Sequence, residues 1–492
     1  MKYQVITSTS LNQLGEAILI GWTESGPMKT ALTEKIESEF QVSLENLAGE
    51  AGKSYGKKGK SALIELWTSK GPLKLGIIPV LEKRYDTQVE LTTILRQLLA
   101  KVKTLQIDVE GIFSKISESS EEKIYRLSET IELATYQFDR YKTEKTPCKW
   151  EKIYLFSSVK SDESWKKGQI VAESVNQARD FVNIPAMDVT PKEFAERALE
   201  MERLYPKVKV EILDVMKMAE KGMGGILGVG QGSEKPPCCI VISYEGNPKS
   251  KEKAGWIGKA VTFDSGGLNL KPGDSMLTMK CDMAGGAAVL FATEAVARLD
   301  LPMNLVSVIP CAENMPSGSA FRPGDVLSAM NGKTMEIGNT DAEGRLLLVD
   351  AICVAAEAGA TQFIDVATLT GACVVALGEV ATGFCSNNDE MAEVLTECGM
   401  NEGEKLWRLP LFEEYRKQID SEVADLKNVG GRDAGMITAA YFLQEFIPEG
   451  AAWCHMDVAG TAYRNSALGI SPKAASGEPV RTLVAWAQKF GK

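Results

Sequence analysis

The chain has 492 residues, enough for two or three domains, and its 44% hydrophobic and 25% charged content is ordinary for a soluble globular protein. A formal net charge of -11 argues against a nucleic-acid-binding surface as the main business, and no apolar run reaches the roughly 18 residues of a membrane span. Ten cysteines with no C-x-x-C pair suit reduced thiols in a cytoplasmic protein, and the single histidine, His455, leaves little room for imidazole zinc ligands or a histidine base.

The start, MKYQVITSTSLNQLG, is too polar for a signal peptide. Residues 1–160 read as a separate first domain of α/β type, with strands predicted at 3–6, 62–67 and 73–80 and amphipathic helices at 90–102 and 121–139. The lysine-rich, glycine-punctuated stretch 52–60 predicts an exposed loop, with nucleic-acid contact as the sharper alternative. Polar residues and Pro147 within 143–150 suit the end of that domain. A strand follows at 153–156. Helical spacing through Ile170, Val171, Val175 and Ala178 makes 163–182 long enough to bridge two domains, so 161–182 is read as the linker and 183–492 as a larger catalytic domain. Thr190-Pro191 opens another helix with a cap and a proline at its first position.

The glycine-rich stretch 224–232 is GxGxG rather than GxGxxG and lacks a later acidic partner, which argues against a dinucleotide loop. Apolar β-rich runs at 239–243, 256–263, 305–310 and 363–366 alternate with helices at 285–299 and 343–358. That order implies a mostly parallel central sheet flanked by helices, with ligands gathered at the carboxyl ends of its strands.

Two stretches concentrate charge where such a sheet would bury it. Residues 256–286, WIGKAVTFDSGGLNLKPGDSMLTMKCDMAGG, offer Lys259, Asp264, Lys271 and Asp282. Residues 339–350, NTDAEGRLLLVD, set Asp341, Glu343 and Arg345 on alternate positions before a buried helix, so the three converge while the chain is still turning. Thr340 to Glu343 also fits the S/T-x-x-E box that caps many helices. Buried charges are costly unless paired or bound to a metal. Asp264 ends one strand run and Thr368-Leu369-Thr370-Gly371 follows another, which puts both on one edge of the sheet.

These residues resemble the leucyl aminopeptidases, also called cytosol aminopeptidases. NTDAEGRL is the specific signature of that family; GKAVTFDSGG, Lys271-Pro272 and MKCDMAGGAAV match further blocks in the right order, over about residues 178–483. The resemblance implies a two-metal aminopeptidase acting on short peptides. Asp264, Asp282, Asp341 and Glu343 together would crowd four carboxylates into one pocket and push their pKa values up. Two divalent cations would balance them, and oxygen-rich ligation tolerates zinc while also suiting manganese or magnesium. A water bridging two such metals is acidified toward neutrality, which removes the need for a histidine base.

The resemblance assigns roles more finely. It implies that Lys259, Asp264, Asp282 and Glu343 hold one metal and Asp264, Asp341 and Glu343 the other, with Lys259 as a neutral amine. Lys271 would stabilise the oxyanion, and Arg345 would hold a bicarbonate that relays the proton. Met279, Thr368, Leu369, Gly371, Ala459 and Ala462 match positions along the first side-chain pocket, small or apolar enough for leucine-like and methionine-like residues. His455 reads as a hydrogen-bonded core residue, not a ligand. A homohexamer with active sites facing an internal cavity is also implied. Two other classes fit part of the pattern: a two-metal phosphoesterase, which would call for more cations near the metals, and a non-catalytic DNA-binding or scaffold role known within the family.

Overall fold

In the computed structural model, which describes residues 3–8, 15–41, 43–47, 59–68 and 71–490, the chain divides into two units, residues 1–173 and 174–492. Apolar runs of the first unit become strands β1 (Gln4–Ser8), β2 (Ala17–Thr23), β3 (Ala62–Thr68), β4 (Gly71–Pro79), β5 (Thr104–Asp108) and β6 (Lys152–Phe156). Their order is β1-β6-β5-β2-β4-β3; β3 runs antiparallel to β4, and the other pairs along this path are parallel. Successive residues of a strand point to opposite faces. Ala17 and Leu19 therefore pack with Leu91, Ile94 and Leu127, while Ile18 and Ile20 pack with Leu32 and Ile36.

Three helices matter here: α1 (Ala31–Phe40), α2 (Arg84–Leu98) and α3 (Ser120–Ala134). The sequence reading places α2 at 90–102 and α3 at 121–139, and the observed bounds differ. The start of α2 is polar yet buried, since Gln88 Nε2 donates to Thr130 Oγ1 at 2.9 Å and to Glu129 Oε2 at 3.1 Å. Hydrophobic periodicity does not register a polar buried face. The 143–150 stretch ends on Trp150, which is buried and donates its indole N–H to the Leu98 carbonyl at 3.2 Å. Of the loop expected at 52–60, only Gly59 and Lys60 lie among the described residues.

The division between the units falls within α4 (Asp162–Asn183). Helix α5 (Pro191–Leu204) follows, with Thr190 N–H donating to Glu193 Oε2 at 3.0 Å in a capping box. The second unit is built on β7 (Val208–Leu213), β8 (Cys238–Glu245), β9 (Ala254–Gly258), β10 (Ala260–Asp264), β11 (Asn304–Asn314), β12 (Gln362–Ala367), β13 (Thr382–Ser386), β14 (Leu406–Arg408) and β15 (Ala452–Asp457). The order is β14-β13-β15-β12-β9-β11-β8-β7, with β10 also on β11. The centre, β15-β12-β9-β11, is parallel, and the direction reverses at β13 and β8.

Helices α6 (Gly224–Gly230), α7 (Ala284–Arg298) and α8 (Gly344–Glu357) flank this sheet. Leu346 to Val349 of α8 share a core with Val306 and Val308, while Gly286 of α7 lies against Ile309 on the opposite face. The glycine-rich stretch forms α6, where a Cβ on Gly225 would lie 2.1 Å from the Leu346 carbonyl oxygen. Those glycines permit close helix packing. The run 256–263, read as one strand, is broken at Lys259: β9 and β10 follow β11 in one register as far as Val261, the register shifts by one residue before Phe263, and Lys259 turns its side chain into the site. Among the described residues no helix is long and apolar enough to cross a membrane.

Candidate metal centre

Four segments end at the carboxyl edge of the parallel strands. Lys259 is fixed there by its backbone, whose N–H donates to Val366 at 3.0 Å and whose carbonyl accepts from Gly286 at 2.6 Å. Its buried ammonium lies 2.8 Å from both Asp282 Oδ1 and Glu343 Oε1 and donates to the Thr368 carbonyl at 2.9 Å. Thr368 adds its hydroxyl to Asp282 Oδ1 at 2.8 Å.

After β10 the chain turns through Gly266 (φ 85°) and Gly267 (φ 65°), left-handed conformations that favour glycine. A Cβ on Gly266 would come within 2.4 Å of the Asn269 carbonyl oxygen. This turn carries Lys271 back over the strand end, where Nζ sits 2.8 Å from Asp264 Oδ2 and 2.5 Å from Asp341 Oδ1. Asp264 Oδ1 accepts from Gly266 N–H and from Asn314 Nδ2, each at 2.8 Å. Asn314 Nδ2 also donates to the Thr340 carbonyl at 3.0 Å, and Asn269 exchanges hydrogen bonds with Thr340. The loop holding Asp264 and Lys271 is thereby locked to the one holding Asp341 and Glu343.

The capping box suggested by Thr340 and Glu343 does not form. Helix α8 begins at Gly344 without a side-chain cap, because Thr340 Oγ1 donates to the Gly266 carbonyl and Glu343 faces Lys259. Arg345 points elsewhere: Nη1 donates to the Asn428 carbonyl at 2.8 Å, and Nε is buried with no partner. Burial pushes its guanidinium down to about 10.

Burial raises the carboxyls of Asp264, Asp282 and Asp341 above the usual range, and their mutual repulsion adds to it. Burial alone would lower the two lysines. Asp282 and Glu343 outweigh it for Lys259, as do Asp264 and Glu343 for Lys271, so both stay ammonium ions in this arrangement. Two lysines against four carboxylates leave negative charge over. Asp282 Oδ2 and Glu343 Oε2 are buried without hydrogen-bond partners, a costly state for a carboxylate oxygen. Asp264, Asp341 and Glu343 also present ligand atoms within 4.8 Å of one another. The residues present fit divalent cations.

The other residues singled out from the sequence are placed less uniformly. Thr368 joins the cluster directly, and Leu369 and Ala459 come together by donating their N–H groups to Asp457 Oδ1, each at 3.1 Å. Ala462 is buried one turn beyond Ala459, and its N–H donates to the Val458 carbonyl at 2.8 Å. Met279 is half-buried in the short turn Met279–Cys281 before Asp282, and Gly371 is exposed at the start of the helix Gly371–Leu377. His455 is fully buried, with Nδ1 2.5 Å from Asp365 Oδ1. Asn314, Asn269 and Asp457 are not singled out by sequence; Asn314 carries one readable mark, a polar residue closing the apolar run of β11. A cleft of about 1140 Å³ lined by Arg408, Phe412, Arg416 and Tyr441 shares no residue with the cluster.

The cytosol aminopeptidase family, catalytic domain, matches residues 176–484, which contain the whole cluster. A probable cytosol aminopeptidase of Chlamydia felis is 42% identical over 94% of this chain and 93% of its own length. One from Alkaliphilus oremlandii is 39% identical over 98% of both chains. Among solved structures, a variant of tomato leucine aminopeptidase superposes with a TM-score of 0.86 at 30% identity, covering 99% of this chain and 97% of that one. The bottromycin maturation enzyme BotP in complex with Mn gives a TM-score of 0.84 at 29% identity, covering 97% of this chain and 100% of that one.

Proposed function

The chain belongs to the cytosol aminopeptidase family, whose members are metal-dependent aminopeptidases, and from that premise we propose that it acts as a leucyl aminopeptidase on short peptides. The observation that carries this reading is the cluster itself: four carboxylates and two lysines interlocked at the strand ends, with buried carboxylate oxygens left without donors.

Asp264, Asp282, Asp341, Glu343 and a deprotonated Lys259 would hold two divalent ions, zinc or manganese, with magnesium a third candidate. When bound, the ions supply Lewis acidity and acidify a shared water toward neutral pKa. The chain supplies the rest. Lys271, partly exposed beside Asp264 and Asp341, would stabilise the negative oxygen that develops on the scissile carbonyl. Arg345 offers its unpaired Nε to a small anion, for which bicarbonate is the expected occupant. Small or apolar surfaces at Met279, Thr368, Leu369, Gly371, Ala459 and Ala462 favour leucine-like side chains. Ten free cysteines agree with a reducing, cytoplasmic setting. Membership of the family supports self-assembly, for which a homohexamer is the proposed form.

The test is hydrolysis of leucine p-nitroanilide by purified protein stripped with chelator and reloaded separately with zinc, manganese and magnesium. Activity should vanish on stripping and return with a metal. If two ions bind and no metal restores turnover, the peptidase reading fails, and phosphate esters and DNA become the substrates to try.

A further inference from the structure

Asp457 is the last residue of β15 and is fully buried. Its carboxylate faces three neutral donors. Oδ1 accepts from the N–H groups of Leu369 and Ala459, each at 3.1 Å, and Oδ2 accepts from the Thr370 hydroxyl at 2.6 Å. Leu369 and Thr370 belong to the loop after β12, and Ala459 to the loop after β15. The two strands are parallel neighbours, with Ala367 opposite Asp457 in register, and the Val458 N–H returns to the Ala367 carbonyl at 2.8 Å. Both loops thus fold around one carboxylate.

The same loops carry the candidate side-chain pocket, and one reaches the cluster. Thr368, next to Leu369, receives Lys259 on its carbonyl and donates its hydroxyl to Asp282. Thr370 also caps the helix that begins at Gly371 by accepting from the Cys373 N–H at 3.1 Å. We propose that Asp457 is a positioning residue that fixes the shape of the first side-chain pocket, holding the Leu369–Gly371 and Ala459–Ala462 walls at the spacing a leucine-like side chain requires. The proposal rests on the leucyl aminopeptidase reading. Asp457 touches no reacting atom in it; it acts through backbone N–H groups that only an acceptor at this spot satisfies. One methylene in an apolar pocket is discriminated by about 10- to 200-fold, so a wall displaced by loss of this acceptor shows first in selectivity.

The experiment compares kcat and KM on leucine and alanine p-nitroanilides for the metal-loaded wild type, Asp457→Ala, Asp457→Asn and Thr370→Val, with metal content measured for each. Asp457→Ala should lower the leucyl-to-alanyl ratio of kcat/KM at least about tenfold, chiefly through KM, at unchanged metal content. Asp457→Asn keeps an acceptor for Leu369 and Ala459 and should recover most of the ratio. Thr370→Val, which removes one arm, should shift it the same way by less. Unchanged selectivity in Asp457→Ala overturns the proposal, as does an Asn variant no better than Ala. If Asp457→Ala does not fold, an unaltered ratio in Thr370→Val overturns it instead. A wild type without turnover would strike the peptidase reading alone; calorimetric titration of the same proteins with free leucine then decides, with weaker binding in Asp457→Ala supporting the positioning role and equal binding refuting it.

Discussion

Gly344→Ala is the most informative single methyl group that could be added to this protein. A Cβ there would lie 2.5 Å from Lys259 Cε, 2.6 Å from Nζ and 2.7 Å from Cδ. Ordinary carbon contacts start near 3.5 Å, so the lysine would have to retreat by about 1 Å. It is buried and tied by 2.8 Å contacts to Asp282 and Glu343 and a 2.9 Å bond to Thr368, so the retreat breaks at least one of these. Overpacking of this kind costs about 1 to 3 kcal/mol, of which the better helix propensity of alanine returns up to about 1. The larger effect is on rate, since a misplacement near 1 Å costs about 100-fold. The assay is kcat/KM on leucine p-nitroanilide together with metal content and a thermal melt, with Gly273→Ala as control because a Cβ there meets nothing within 4 Å. Gly344→Ala turning over like the control, with full metal content, would refute the role given to Lys259.

Asp264→Ala and Glu343→Ala should each lose almost all activity and bound metal while melting close to the metal-stripped wild type, and near-normal turnover in either would remove it from the ligand set. Lys271→Ala should lower kcat by about two to three orders of magnitude with little change in KM; an effect on KM alone would dismiss the oxyanion role. Metal loading should raise the melting temperature in proportion to the logarithm of free metal above its dissociation constant, which differential scanning fluorimetry reads directly. Asp350 supplies a pH test away from the site: it accepts from Ile226 and Met330 N–H groups, yet burial pushes its carboxyl up to about 7. Its contribution is full below the unfolded carboxylate pKa of about 3.9 and is lost as pH rises to 7, by roughly 4 kcal/mol. Urea melts should therefore show wild-type stability falling relative to Asp350→Asn between pH 4.5 and 8, and a wild type that holds level with that variant or gains on it over this range would contradict the assignment.

What the sequence makes legible follows from how local each signal is. The strands and helices around the site are readable because β-branched runs and 3.6-residue spacing are local, and α7 and α8 lie within a residue of their predicted bounds. The break at Lys259 is not readable, because β9 and β10 differ only in their neighbours across the sheet. Thr340 shows the same limit from the other side: its spacing to Glu343 suits a cap, but Gly266 and Asn269, about 70 positions earlier, claim its hydroxyl and amide. Asn314 and Asp457 matter through hydrogen bonds to residues brought close only by the completed sheet. Gln88 hides the start of α2 because polar groups satisfied inside a core leave no hydrophobic pattern.

The position of β15 has a consequence for how this protein is made. It is synthesised after β13 and β14 but lies between β13 and β12, and it is the strand against which β13 pairs. Until residue 457 leaves the ribosome, β12 presents a bare apolar edge and the two earlier strands have nowhere to dock. A nascent chain with such an edge is prone to pairing with other chains. Ribosome pausing or premature termination anywhere between residues 367 and 452 should therefore yield aggregates in place of a shortened soluble enzyme, and chaperone capture during translation should centre on Gln362–Ala367.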